Sequence, residues 1–181
     1  WATQKLREYI VKGFVMDDER LAEGGVKKTY FEEWEEDDFF LVASESVNFE
    51  GNFYFDLYEN KEKKWLAGVL NLPLKEMEDL RIEGVLINGN LSVNGTIINA
   101  EGDYGPYVLI KGDVSCQSML LGGSYVEIEG NVTAKEVVMT SYNHGNFKCS
   151  GCIEAPVFIV EDHYTTFSSR NNNLFYYNDK T

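Results

Sequence analysis

Four stretches decide the fold: VLINGNLSV (85–93), VLIKGDVSC (108–116), VEIEGNVTA (126–134) and FKCSGCIEA (147–155). Aligned on Gly89, Gly112, Gly130 and Gly151, they share one frame. Four residues before the glycine stand Val85, Val108, Val126 and Phe147; two before stand Ile87, Ile110, Ile128 and Cys149. Two after come Leu91, Val114, Val132 and Ile153; four after come Val93, Cys116, Ala134 and Ala155; eight after come Ile97, Leu120, Val138 and Ile159. The residues between are mostly polar. Alternation of this kind marks strands with one buried face. Its return about every 20 residues marks a solenoid whose turns stack on one another. The glycines are 23, 18 and 21 residues apart, so the strands hold frame while the corners vary.

The expected fold is mainly β: a short parallel β-helix of about four turns with an N-terminal α+β cap. The domains expected are a cap over 1–80 (helix, acidic segment, β-hairpin), the β-helix over 81–164 and a capping hairpin over 165–181. Stacking in frame would set Lys111 beside Glu129 and Glu127 beside Lys148, opposite charges on neighbouring strands about 4.8 Å apart.

Within the cap, residues 3–12 read as a helix capped by Thr3 and closed by Gly13, and residues 17–23 as a second short one. Phe40 to Tyr58 and Trp65 to Leu74 read as two strands of an antiparallel hairpin around Asn60–Lys64, and residues 75–80 as a short helical connection. The segment from Phe49 to Asn52 echoes the solenoid frame around Gly51, but eight residues on stands Glu59, so it is not counted as a turn. At the other end, Tyr164–Phe167 and Leu174–Tyr177 flank a Ser/Asn-rich turn and read as the terminal hairpin.

Composition bounds the function. With 44% hydrophobic residues and 14% aromatics in 181 residues, the chain can bury a core. It has no apolar run long enough for a membrane span. The net charge of −14 repels nucleic-acid phosphates and anionic membranes and attracts basic partners. Six carboxylates, Glu32, Glu33, Glu35, Glu36, Asp37 and Asp38, surround Trp34. This run reads either as a solvated acidic face or as an aromatic anchor ringed by charge, which suits Lys and Arg on a partner. The chain opens on Trp1 rather than Met, so its true start is expected upstream, and nothing in it has the pattern of a secretory leader.

The three cysteines include Cys149 and Cys152 in a CSGC segment. A redox CxxC opens a helix, and a structural zinc site needs two more ligands. Neither context is present, so core packing in a reducing, cytoplasmic compartment is expected. Both histidines fall in corners: His144 is 14 residues after Gly130, and His163 is 12 after Gly151, beside Asp162. Asp103 is 14 after Gly89. Stacked, these residues would either form a metal or proton-transfer site or make ordinary corner hydrogen bonds. No GxSxG, HExxH or phosphate-cradling glycine loop occurs.

The turns IKGDVSCQSMLL, IEGNVTAKEVVM and CSGCIEAPVFIV resemble the pattern of bactofilin-type, polymer-forming bacterial β-helices over residues 82–160. That resemblance implies a right-handed parallel β-helix and a bacterial origin. Departures from the pattern, with Cys152 where Asn or Asp is usual and aromatic-rich segments at both ends, point to a discrete binding surface rather than a filament. In overall character the chain is similar to the acidic immunity proteins of bacterial toxins.

The expected function is therefore a non-catalytic, acidic protein-binding module that neutralises a basic partner such as a nuclease toxin. Glu32, Glu33, Trp34, Glu35, Glu36, Asp37 and Asp38 are its expected contacts. No cofactor or metal is expected, and the oligomeric state is left open. Two alternatives stand beside it: a bactofilin-like self-assembling scaffold, and a metal or enzymatic site at the His144/His163 corner.

Overall fold

The glycine frame is the frame in which the strands pair. In the computed structural model, which describes residues 10–12, 38–56, 63–64, 66–68, 73–75 and 81–178, β5 (Arg81–Ile87), β8 (Tyr107–Ile110), β10 (Tyr125–Ile128) and β12 (Asn146–Glu154) lie in parallel. Val85, Val108, Val126 and Phe147 stand in one row, and Ile87, Ile110, Ile128 and Cys149 in the next. All eight are buried. Below them β2 (Asp38–Ala43) pairs with β5, and above them β14 (Tyr164–Asn171) pairs with β12. These strands form the first column of the solenoid.

The second column contains β3 (Val47–Glu50), β6 (Leu91–Asn94) and the first halves of β9 (Val114–Leu121) and β11 (Val132–Ser141), continued by the later parts of β12 and β14. The third contains β4 (Phe53–Tyr54), β7 (Thr96–Ile98), the later parts of β9 and β11, then β13 (Val157–Glu161) and β15 (Leu174–Asn178). The protein is a mainly β parallel solenoid of about five turns. Its interior is side chain against side chain, with Leu91, Val114, Val132 and Ile153 stacked at 0–1% exposure. Burying each such side chain contributes roughly 1.5–3 kcal/mol.

The corner between the first and second columns shows why glycine recurs. A Cβ on Gly112 would stand 2.7 Å from the carbonyl of Gly89, one on Gly130 2.5 Å from that of Gly112, and one on Gly151 2.5 Å from that of Gly130. Backbone passes over backbone with no room for a side chain. The next residue in each turn locks the stack. Asn90 Oδ1 accepts the N–H of Asp113 at 2.9 Å, Asp113 Oδ1 accepts that of Asn131 at 2.7 Å, and Asn131 Oδ1 accepts that of Cys152 at 2.9 Å. Below them, Ser46 Oγ accepts the N–H of Asn90 at 3.0 Å. Lys148 reaches Glu127 at 2.5 Å, as the frame predicts. The other expected pair, Lys111 with Glu129, does not close.

Five expectations need correction. The segment around residue 50 is a full turn and not one arm of an antiparallel hairpin. Val47 stands beside Leu91 and Phe53 beside Ile97, both in parallel. The offset is 44 residues, so Glu45 and not Gly51 occupies the glycine position, and a long insertion hides the period. The expected return strand over 65–74 is helical at residues 63–64 and 66–68, where Leu66 and Ala67 are buried.

The expected terminal hairpin is likewise another turn. β14 stacks on β12 and β15 on β13, all in parallel. At the N-terminus, Ile10–Lys12 is a strand, β1, antiparallel to β2, where the end of a helix was expected. The remainder of that helix, and the one over 17–23, lie outside the described residues.

The last correction concerns the third column. Ile97 stands beside Met119, Met119 beside Val138, and Val138 beside Phe158. These four are buried, whereas Leu120 and Ile159, eight residues after their glycines, face outward. The corners before Met119 and Phe158 are one residue shorter, and a one-residue slip turns a side chain to the other face. Met119→Ala is expected to cost roughly 2–5 kcal/mol as a core cavity, and Leu120→Ala no more than about 1 kcal/mol. Denaturant titration of the two variants reads this directly. Equal losses would contradict the register.

Candidate functional site

The register of the third column sets apolar side chains on its outer surface as well as inside. Tyr54, Ile98, Leu120, Met139, Ile159 and Tyr176 stand in one outward row. Val137, Val157 and Leu174 form a second row beside them. Tyr176 is 48% exposed and Leu174 57%, and the others are partly exposed. With strands about 4.8 Å apart, the longer row runs roughly 24 Å. The outer row of the second column, by contrast, is Asn48, Ser92, Ser115, Thr133, Glu154 and Asn171. A continuous apolar row on an outer face is an interaction feature, unlike isolated exposed hydrophobics.

Carboxylates border this row. Glu136 lies on one side, where it accepts a 2.9 Å hydrogen bond from Ser118. Glu161, at the end of β13, and Glu101, Asp103 and Asp162, in the corners, lie on the other. The sequence carries a signal that was missed. Ile97-Ile98, Met119-Leu120-Leu121, Val137-Val138-Met139 and Phe158-Ile159-Val160 run apolar without alternation, which marks strands with two apolar faces.

The corner after the third column holds both histidines, in different surroundings. Asp56, buried, accepts from Asn99 Nδ2 at 2.6 Å, from Ala100 N at 2.8 Å and from Glu101 N at 3.1 Å. Asn99 Oδ1 in turn accepts from the backbone N–H groups of Gly122 and Ser124. His163, also buried, reaches across the intervening turn to the corner after β9. Its Nε2 lies 3.2 Å from the carbonyl of Gly122 and its Nδ1 2.9 Å from Thr165 Oγ1. A carbonyl only accepts, so Nε2 carries the proton and Nδ1 accepts from Thr165, whose hydroxyl lies 2.9 Å from that of Thr140. Both ring nitrogens are thereby engaged, as ordinary corner bonding. Burial holds the imidazole pKa below its usual 6.5, against opposing bonds to the backbone of Gly122 and Tyr164.

His144 is exposed, with Nδ1 3.4 Å from Asp103 Oδ1. Their equal 14-residue offsets meet because the corner between them is short: a Cβ on Gly123 would stand 2.0 Å from the carbonyl of Gly102. Tyr142 has φ +89°, a conformation rare for a bulky residue. Its ring lies against Gly102 and edge-on to His144, 5.5 Å between centroids. A hydrogen bond to Asp103, together with that carboxylate's charge, raises the phenol pKa. The structure therefore unites Asp103, Tyr142 and His144 at the surface and leaves His163 inside. Among the described residues, no three His, Cys, Asp or Glu side chains are grouped to hold a metal ion.

Cys116 and Cys149 are buried free thiols, with pKa values pushed up by burial to about 12 and about 11. Cys152 is free and partly exposed. Of the expected partner-binding run, Glu32, Glu33, Trp34, Glu35, Glu36 and Asp37 lie outside the described residues. Asp38 opens β2. No described helix is long and apolar enough to cross a membrane.

These features define a parallel β-solenoid with one apolar outer face. A family model described as the Virulence protein RhuM family matches residues 1–50, which meets only the first turn of the solenoid. No curated protein and no solved structure matches the chain.

His163 gives the fold a pH dependence of known sign. Because its folded pKa is lowered, the unfolded chain binds more protons as pH falls toward and below 6.5. The stabilisation is full above that value and is lost as pH falls through it toward the folded pKa. Unfolding free energy measured between about pH 7 and about pH 5 is expected to fall less steeply in His163→Gln than in the wild type, over a common carboxylate background. Parallel slopes would contradict a buried neutral imidazole.

Proposed function

We propose that this chain is a non-catalytic binding module for a basic protein, docked on the outer face of the third column. The observation that carries this reading is the row Tyr54, Ile98, Leu120, Met139, Ile159 and Tyr176. Tyrosine and aliphatic side chains in the centre with charge at the rim are the composition of an energetic interface. The rim carboxylates and the net charge of −14 set the sign of the partner and accelerate encounter. The acidic run from Glu32 to Asp38 precedes β2 in sequence, and its carboxylates add to the negative charge that attracts such a partner. The narrower form of the proposal is an immunity-type inhibitor that covers the basic cleft of a toxin domain.

A bactofilin-like filament, the structural alternative, needs both solenoid ends free for stacking. β1 lies along the outer edge of β2, against that requirement.

The test is co-purification from source cells at physiological salt, comparing the wild type with the double variant Leu120→Ser/Met139→Ser. One basic protein in stoichiometric amount is expected on the wild type. Its affinity for the double variant should be at least about tenfold weaker, as for loss of a central contact. Absence of a basic protein, or equal retention by both chains, would overturn the proposal.

A further inference from the structure

The strands beneath the outer apolar row already have neighbours on both sides. β7 lies between β4 and β9, and the later part of β9 between β7 and β11. β11 lies between β9 and β13, and β13 between β11 and β15. An incoming strand finds no edge to extend there, so a partner is held by side chains alone. An extended segment laid flat on this row would take its own N–H and C=O groups out of water with nothing to bond. A helix bonds its backbone to itself and presents only side chains.

The dimensions agree with a helix. The row spans roughly 24 Å, the length of about 16 helical residues. Its rungs, about 4.8 Å apart, come close to the helical pitch of about 5.4 Å, so each rung meets about one turn. Over three rungs the row is doubled: Val137 beside Met139, Val157 beside Ile159, and Leu174 beside Tyr176. The two ridges stand roughly 7 Å apart, with a furrow between them for the apolar stripe of a helix. Toward the first turns Thr96 and Ser118 take the place of the second ridge, and the stripe narrows.

Charge agrees as well. Glu161 lies in register with Ser141, five residues along the strand from Glu136. That separation is roughly 16 Å, enough to bracket a helix about 10–12 Å across with its side chains. Glu101 and Asp103, in the corner after β7, continue the Glu161 flank.

We infer that the occupant of this face is a basic amphipathic helix of about 16 residues, laid across the strands with Lys and Arg along both margins of its apolar stripe. The inference rests on the outer-face reading and names the element that reading leaves open. A second copy of this chain would bring the same carboxylates against Glu136 and Glu161, and an anionic membrane would be repelled by them. A helix with basic margins matches both the row and its rim.

Two synthetic peptides of about 16 residues with equal leucine and lysine content test it. One places leucine at helical spacing, and the other alternates leucine and lysine strictly, as in a strand. Titration calorimetry against the full chain is read together with circular dichroism of the complex. The helical-period peptide is expected to bind one per chain, gain helical signal and bind at least about tenfold more tightly than its isomer. That advantage should vanish on Leu120→Ser/Met139→Ser. Glu161→Lys, which leaves the row intact, should weaken binding severalfold. If the alternating peptide binds as tightly or more tightly, and Leu120→Ser/Met139→Ser weakens it, the outer face stands and the helix is overturned. Binding of neither peptide, or affinity unchanged by either variant, would also overturn the inference. Co-purification of a basic protein decides the outer-face reading separately.

Discussion

The whole solenoid depends on how closely backbone passes over backbone at one corner. At Gly89, Gly112, Gly130 and Gly151 there is no space for a Cβ. A single amide or carboxylate oxygen on the following residue caps the next turn's N–H. Together these constraints fix the register, and the register decides which side chains point inward. Where the capping atom is missing, the register gives way. Cys152 has no oxygen to offer, and the pairing of β12 with β14 slips by one residue between Cys149 and Cys152. The turn above is correspondingly different inside, with Thr165 opposite Phe147 and Arg170 opposite Ile153.

The same register gives the molecule three unlike outer surfaces. The second column shows hydroxyls, amides and the Glu154 carboxylate to solvent, and the third shows Leu120, Met139 and Ile159. The first shows a partly exposed Leu86 and the Glu127–Lys148 ion pair, with Leu109 between them buried. Polar chemistry is concentrated in the corner after the third column. One histidine there is fixed as a neutral crosslink between turns, and the other stands in solvent beside Asp103 and a strained Tyr142. Asp56 and Asn99 do structural work in that corner, as the carboxylate and amide that tie the first three turns together.

Much of the fold was legible because the column around the glycines is periodic in the simplest way. Four residues before and two before the glycine were inward in every framed turn, and the Glu127–Lys148 pair followed from that frame alone. The first and last turns escaped for opposite reasons. The first has Glu45 in the glycine position and a long insertion after it, so alternation was visible but its partner strand was not. Alternation alone cannot distinguish a parallel neighbour from an antiparallel one. The last carries Thr165 and Arg170 at positions that are apolar in every framed turn, so it does not repeat the frame. The candidate surface escaped for a subtler reason. A corner one residue shorter exchanges Met119 for Leu120, and Phe158 for Ile159, without changing the composition of the stretch. The carboxylates of the Glu32–Asp38 run were legible as charge, but charge carries no register.

The account stands on that exchange, since it fills the core with one side chain of each pair and builds the outer face from the other. Two methionines mark the two sides: Met119, 1% exposed, and Met139, in the outer row. Hydroxyl-radical footprinting of the native chain, read by mass spectrometry at the two sulfurs, compares them in one experiment. Many-fold faster oxidation of Met139 than of Met119, equalised on denaturation, is the predicted result. Equal rates in the native chain, or faster oxidation of Met119, would contradict the register and the binding face built on it.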